Sequence, residues 1–283
     1  MKNILLCGLG RMGSIHEKYI KSLNLDYSWY DPYIEKNNEN KIELINSENI
    51  NNFSHIIIST PEGTHFNLYN SIINMGFVGH FLIEKPVVVN FSNLEILEDK
   101  RISGGMVERF NPAIQKLSTL IDVDKIVSMD FVRCSVKSIA NQRVDSFTDV
   151  GIHDIDLYFF LTKFNHMPDY SISNYSNTFS LLCKSKSGMM SRFLWSNETF
   201  SKERKVIIRQ SDCTYEADLI DQTVKKFTNS STTSDLGILS QNFYIEKSSS
   251  IKNEIENFIS NSGERVDCYL SHKLYLEIKE GIK

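Results

Sequence analysis

Apolar positions in the first 110 residues come in two textures. Short unbroken runs read as strands: Ile4–Cys7, the "YSWYD" segment, "SHIIIST" over 54–60, "FLIEKPVVV" and "GGMVERF" over 104–110. Between them lie stretches with apolar residues on one side of a helix. Met12, Ile15, Tyr19, Ile20 and Leu23 define the first; residues 64–75 and "NLEILEDK" give two more. Continuous apolar strands alternating with helices predict a parallel sheet covered on both faces.

The texture changes after Pro112. A helix, "AIQKLSTLI", leads to a long strand, "KIVSMDFVRCSV", and then to a strongly apolar helix over 149–162. From 170 to 228 strand signals dominate: "TFSLLCKS", "MMSRFLWS", "RKVIIRQ", "TYEADL" and "TVKKFT". The polar "NSSTTSD", 229–235, reads as a loop, and helices near 250–261 and 267–280 follow. Runs of strands after an alternating half predict an α+β region with a largely antiparallel open sheet. The expected organisation is therefore α/β: a doubly wound Rossmann domain over 1–110 and a C-terminal substrate-binding and oligomerisation domain over 111–283.

Composition narrows the function classes. A net charge of −4 gives no broad basic surface for nucleic acid or anionic lipid. No stretch approaches the roughly 18 apolar residues of a membrane span. The opening "MKNILLCGLG" runs into a glycine turn rather than a cleavage site and reads as a strand. Five scattered cysteines without a CxxC suggest reduced thiols and a cytoplasmic protein, with no zinc site and no disulfide framework.

Three motifs carry candidate chemistry. Gly8-Leu9-Gly10-Arg11-Met12-Gly13 fits G-x-G-x-x-G between a strand and a helix. Its glycines suit a tight turn, close approach of a pyrophosphate and tight helix packing, although glycine turns also serve structure alone. Asp31 ends the second strand, where an adenosine ribose hydroxyl would be received. An acidic residue there would repel a 2′-phosphate, which favours NAD over NADP. Next, "IEKP" places Lys85 where a strand should end at the cleft. Lys85 could polarise a substrate hydroxyl, or it could be a surface lysine paired with Glu84; Pro86 forces the chain out of the ladder and suits a cis bond. Third, Asp149, His153 and Asp156 recur at i, i+4, i+7 along an apolar helix. Histidine suits proton transfer near neutral pH, and a neighbouring aspartate can orient it. A core histidine and a helix cap by Asp149 or Thr148 are the structural alternatives. No third ligand accompanies the D-x-x-x-H pair, so no metal is expected.

"GLGRMGSIH", "STPEGTH", "EKPVVVN", "GMVERFNP" and "DVGIHDIDL", in this order and spacing, resemble the Gfo/Idh/MocA family of oxidoreductases. The resemblance implies hydride transfer between a nicotinamide and a hydroxyl- or keto-bearing carbon of a sugar, sugar nucleotide or cyclitol. It implies that Lys85 polarises the reacting oxygen, that His153 is the proton acceptor or donor, and that Asp149 assists it. Ser59, Thr60, Pro61, His65 and Glu84 would line the cofactor with Gly8, Gly10, Arg11, Met12, Gly13 and Asp31. Arg109 and Asn111 would lie near the domain junction and touch substrate or cofactor. Arg133, Lys137, Gln142 and Arg143 are the polar candidates for a substrate pocket, and the C-terminal sheet would mediate homo-oligomer contacts. An imine- or biliverdin-type reductase, and a non-catalytic cofactor-sensing regulator, are the rival expectations.

Overall fold

The computed structural model describes residues 3–35, 39–136, 145–229, 238–260 and 265–282. They divide into two compact units: one of Met1–Val107 with Ser249–Leu276, the other of Glu108–Ser248 with Glu277–Lys283.

In the first unit, strands β1 (Ile4–Cys7), β2 (Tyr27–Tyr30), β3 (His55–Ile58), β4 (His80–Glu84) and β5 (Ile102–Gly105) form a parallel sheet in the order β2-β1-β3-β4-β5. Helix α1 (Arg11–Ser22) joins β1 to β2, and α2 (His65–Asn74) joins β3 to β4. β1 pairs in register with β2 on one side and β3 on the other. Strand order therefore reverses at the carboxyl ends of β1 and β3, the place where open α/β sheets bind ligands. The all-apolar β1 is buried on both faces, as a central parallel strand should be. Ile4, Leu6, Ile20, Trp29, Ile57 and Leu82 share one core cluster with Ile255, which comes from α5 (Ser250–Ile259). The expected helix at "NLEILEDK" is a 3-10 segment, Phe91–Glu98. The strand expected through Phe110 stops at Gly105, and Val107–Phe110 is again a 3-10 turn.

The second unit is built on eight strands: β6 (Ile126–Val136), β7 (Asp169–Tyr175), β8 (Thr178–Lys184), β9 (Met190–Ser196), β10 (Glu198–Gln210), β11 (Thr214–Asp218), β12 (Thr223–Asn229) and β13 (Ile238–Phe243). Their order is β13-β12-β11-β10-β6-β9-β8-β7, antiparallel except for the β6–β9 pair. Helices α3 (Pro112–Leu120) and α4 (Ile152–Thr162) lie in this unit. Phe131 stacks on Phe193 at 4.6 Å, and Phe193 and Phe147 both meet Trp195. The last helix, α6 (Tyr269–Gly281), belongs to the first unit through Leu276.

All five cysteines are buried thiols, and burial pushes the Cys7 thiol up to about 12. Among the described residues no helix is long and apolar enough to cross a membrane. Nor does any group of three His, Cys, Asp or Glu side chains there suit a metal ion.

Candidate active site

The glycine turn follows β1 directly. Gly8 has φ +88°, a left-handed conformation that costs glycine nothing. Gly13 has no room for a side chain: a Cβ there would stand 2.0 Å from the Gly8 carbonyl oxygen. Gly10 is the opposite case, with nothing within 4 Å of a Cβ. So Gly13 is a packing glycine, and Gly10 leaves an open approach to backbone. No side chain caps α1, which begins at Arg11. The uncapped N–H groups and the positive end of the helix macrodipole suit a phosphate. These residues fit the pyrophosphate of a dinucleotide.

Asp31 stands beside this turn. Its Oδ2 accepts the Leu9 N–H at 2.9 Å, and its Oδ1 accepts the Tyr33 N–H at 2.9 Å. It thus holds the glycine turn. Ser59 is buried and donates to the carbonyls of Cys7 and Gly8 at 3.1 and 2.9 Å. It closes the turn rather than lining it. Thr60 and Pro61 follow at the end of β3, partly and fully exposed.

The turn after β4 contains a cis Lys85–Pro86 bond. Three histidines organise it, two of them unforeseen. His65 sets one ring nitrogen 3.0 Å from the Pro86 carbonyl and the other 2.8 Å from the Thr60 carbonyl. A single side chain therefore links the loops after β3 and β4. His272, on α6 and fully buried, donates Nδ1–H to the Cys268 carbonyl at 2.9 Å. Its Nε2 is then left to accept the Val87 N–H at 2.8 Å. His16, on α1, contacts Glu84 at 2.6 Å in a buried pair. Glu84 is thus engaged with His16, and its second oxygen accepts the Lys85 N–H at 3.3 Å. The Lys85 side chain is half-buried at the carboxyl edge of the sheet.

The second unit carries the other candidates. Asp149 lies in a π-helical turn, Phe147–Gly151, which runs into α4. The element starts two residues earlier than expected, and Asp145 caps it: the Thr148 N–H and hydroxyl both donate to its carboxylate at 2.8 Å. Asp149 is partly exposed, and His153 is buried in the first turn of α4.

The two remaining acids on this helix are structural. Asp156 receives two hydrogen bonds from Arg109, each 2.6 Å. Asp154 receives Arg133 and the Trp195 indole N–H at 2.7 and 2.8 Å. Arg133 also donates to Glu108 at 2.8 Å, and Arg204 joins Glu108 at 3.2 Å. Burial works against the Arg133 charge, but Asp154 and Glu108 outweigh it and push its pKa up. Burial likewise opposes the Glu108 carboxylate, and Arg133 and Arg204 reverse that, holding it below its usual range.

Arg133, expected among the polar candidates for a substrate pocket, is 5% exposed with donors engaged by Asp154 and Glu108. Arg109 is committed to Asp156 in the same way. Asn111, also expected near substrate, is a buried cap for α3: its side chain accepts the Ala113 N–H and donates to the Leu219 carbonyl. Lys137, Gln142 and Arg143 lie outside the described residues.

A parallel Rossmann-type sheet and a second unit on a largely antiparallel sheet, the α/β organisation expected from the sequence, is a fold shared with solved oxidoreductase structures. Particular solved structures share it. UDP-N-acetylglucosamine 3-dehydrogenase GnnA from Acidithiobacillus ferrooxidans superposes with a TM-score of 0.82 at 18% identity, over 99% of this chain and 95% of its own. The dehydrogenase MviM from Clostridium difficile gives 0.74 at 16% identity, over 99% of both chains. Levoglucosan dehydrogenase, solved in complex with NADH, gives 0.76 at 14% identity, over 99% of this chain and 96% of its own. No family model matches the sequence, and no curated protein does.

Proposed function

We propose that the protein is an NAD-dependent dehydrogenase or reductase acting on a hydroxyl- or keto-bearing carbon of a sugar, sugar nucleotide or cyclitol. The observation that carries this is the assembly at one sheet edge of an open Gly10, an uncapped α1, Asp31 and Lys85. That edge combines a dinucleotide cradle with a cation suited to a developing alkoxide. Similarity in fold to GnnA and to the NADH-bound levoglucosan dehydrogenase supports a nicotinamide cofactor and a sugar-like substrate.

Gly8, Gly10, Arg11, Met12 and Gly13 would hold the pyrophosphate. Asp31 would receive the adenosine ribose, and Thr60, Pro61 and His65 would line the cofactor. Asp31 favours NAD over NADP by charge repulsion. When bound, the nicotinamide supplies the hydride donor or acceptor. Lys85 donates a hydrogen bond to the substrate oxygen and stabilises its negative charge as it develops. His153 takes the hydroxyl proton in oxidation and returns it in reduction, with Asp149 favouring the charged ring. The open face of the second unit's sheet, where Val132 and Leu194 pair in register among partly exposed apolar residues, supports a homo-oligomer through that sheet.

The test is NADH binding by fluorescence titration, followed by a screen of sugars and sugar nucleotides for change in NADH absorbance. Lys85→Ala and His153→Ala should each lower turnover on the substrate found by at least about 100-fold, with NADH affinity little changed. Full turnover by Lys85→Ala would sink the assignment.

A further inference from the structure

Helix α1 and the Lys85 turn are separate in sequence, yet one buried pair joins them. His16 lies one turn beyond Gly13 and is fully buried. Its Nε2 is 2.6 Å from Glu84 Oε1, and its Nδ1 has no hydrogen-bond partner among the described residues. The ring is therefore committed to Glu84. The Glu84 carboxylate spans two elements, since its other oxygen accepts the Lys85 backbone N–H. β5 closes in behind it: a Cβ on Gly105 would stand 3.0 Å from Glu84 Cα and 3.4 Å from Oε2. A buried carboxylate is costly unless hydrogen-bonded, so removing the His16 donor leaves Glu84 without its principal support, and the backbone at Lys85 follows.

We infer that His16 is a positioning residue that couples nucleotide occupancy at the Gly8–Gly13 turn to the placement of Lys85. The inference rests on the cofactor proposed above. α1 starts at the turn, its first N–H groups face the ligand, and the same rigid helix carries His16 a turn and a half further on. Settling of α1 on a pyrophosphate thus passes through His16 and Glu84 to the residue that must meet the substrate oxygen. Displacements of about 1 Å at such a group cost on the order of 100-fold in rate, so a fixed link has a use.

The experiment is amide hydrogen exchange at Lys85, with and without saturating NADH, on the wild type, His16→Leu and His16→Gln. Leucine fills the volume without a donor, and glutamine restores an N–H at similar reach. In the wild type NADH should slow exchange at Lys85 about tenfold. In His16→Leu the amide should exchange about tenfold faster without nucleotide, an effect sized by one lost buried hydrogen bond, and NADH should no longer slow it. His16→Gln should restore both behaviours.

A purely structural role would lower stability without removing the NADH response. NADH-linked protection in His16→Leu equal to the wild type overturns the inference, as does a well-folded His16→Gln that fails to restore it. Should His16→Leu not fold, Glu84→Gln serves, with the same loss of response expected and its retention equally damaging. NADH affinity is measured separately. A wild type that does not bind NADH overturns the cofactor proposal and the coupling with it. The nucleotide-free comparison of Leu and Gln variants still decides whether His16 holds Lys85.

Discussion

Two glycines of one turn should fail in opposite ways when replaced by alanine. At Gly13 the added Cβ would lie 2.0 Å from the Gly8 oxygen, 1.0 Å inside the 3.0 Å that real Cβ atoms essentially never breach. The obstacle is backbone, so the Gly8 carbonyl must move. That motion breaks the 2.9 Å hydrogen bond from Ser59 Oγ. Overpacking of about 2 kcal/mol and a lost hydrogen bond of about 1 kcal/mol give roughly 3 kcal/mol, a fall in melting temperature of about 10 °C for a unit of this size. At Gly10 nothing lies within 4 Å, and φ is −69° rather than left-handed. Gly10→Ala should cost at most about 1 kcal/mol of stability. Its methyl instead occupies the approach to the backbone and should weaken NADH binding at least tenfold, or about 1.4 kcal/mol. Thermal melts and NADH fluorescence titrations measure the two effects independently. Gly10→Ala binding NADH as the wild type does, or Gly13→Ala melting with it, would refute this division of roles.

Two further outcomes follow from buried charge. Arg133→Met takes the shared buried cation from Glu108 and Asp154, leaving them Arg204 and the Trp195 indole, and should cost about 3 kcal/mol in urea unfolding; a loss under about 1 kcal/mol would show that water reaches the pair. Burial alone would raise the Asp99 carboxyl, but donation from Arg101 and then Tyr69 outweighs it and holds the group at about 2 against an ordinary 3.8. Because the folded value is depressed, its stabilisation is complete above about pH 4 and is lost as pH falls through about 2. Asp99→Asn should therefore flatten acid unfolding across that window, by about 1 kcal/mol after screening by water; an unchanged acid slope would count against it.

The sequence makes β1, β3 and the glycine turn legible because each requirement is local. A strand buried on both faces needs an unbroken apolar run, and a turn against its own backbone needs glycine at a fixed position. What brings Lys85 into place is not local. His16 meets Glu84 across 68 positions, and His272 meets Val87 across 185. No periodicity links such pairs. The partners of Arg133 are distant in the same way. A basic residue in a strand reads as pocket lining until Glu108 and Asp154, 25 and 21 positions away, are seen to enclose it. The edge strand β13 was hidden because it is exposed along nearly its whole length, so it does not show the alternation that marks a half-buried strand. The early, wide turn before α4 follows from Asp145, whose cap sits outside the apolar stretch.

The return of Ser249–Leu276 to the first unit has a consequence for how the chain is made. β1 to β5 leave the ribosome early, but Ile255 of their core and the His272 that grips Val87 come far behind. At about 5–20 residues per second, the interval from Val107 to Ser249 is on the order of ten seconds or more. Through that time the sheet of the first unit has an uncovered flank and a Lys85 turn without one of its supports. A newly made chain should acquire affinity for NADH late and abruptly, with the arrival of its last helices.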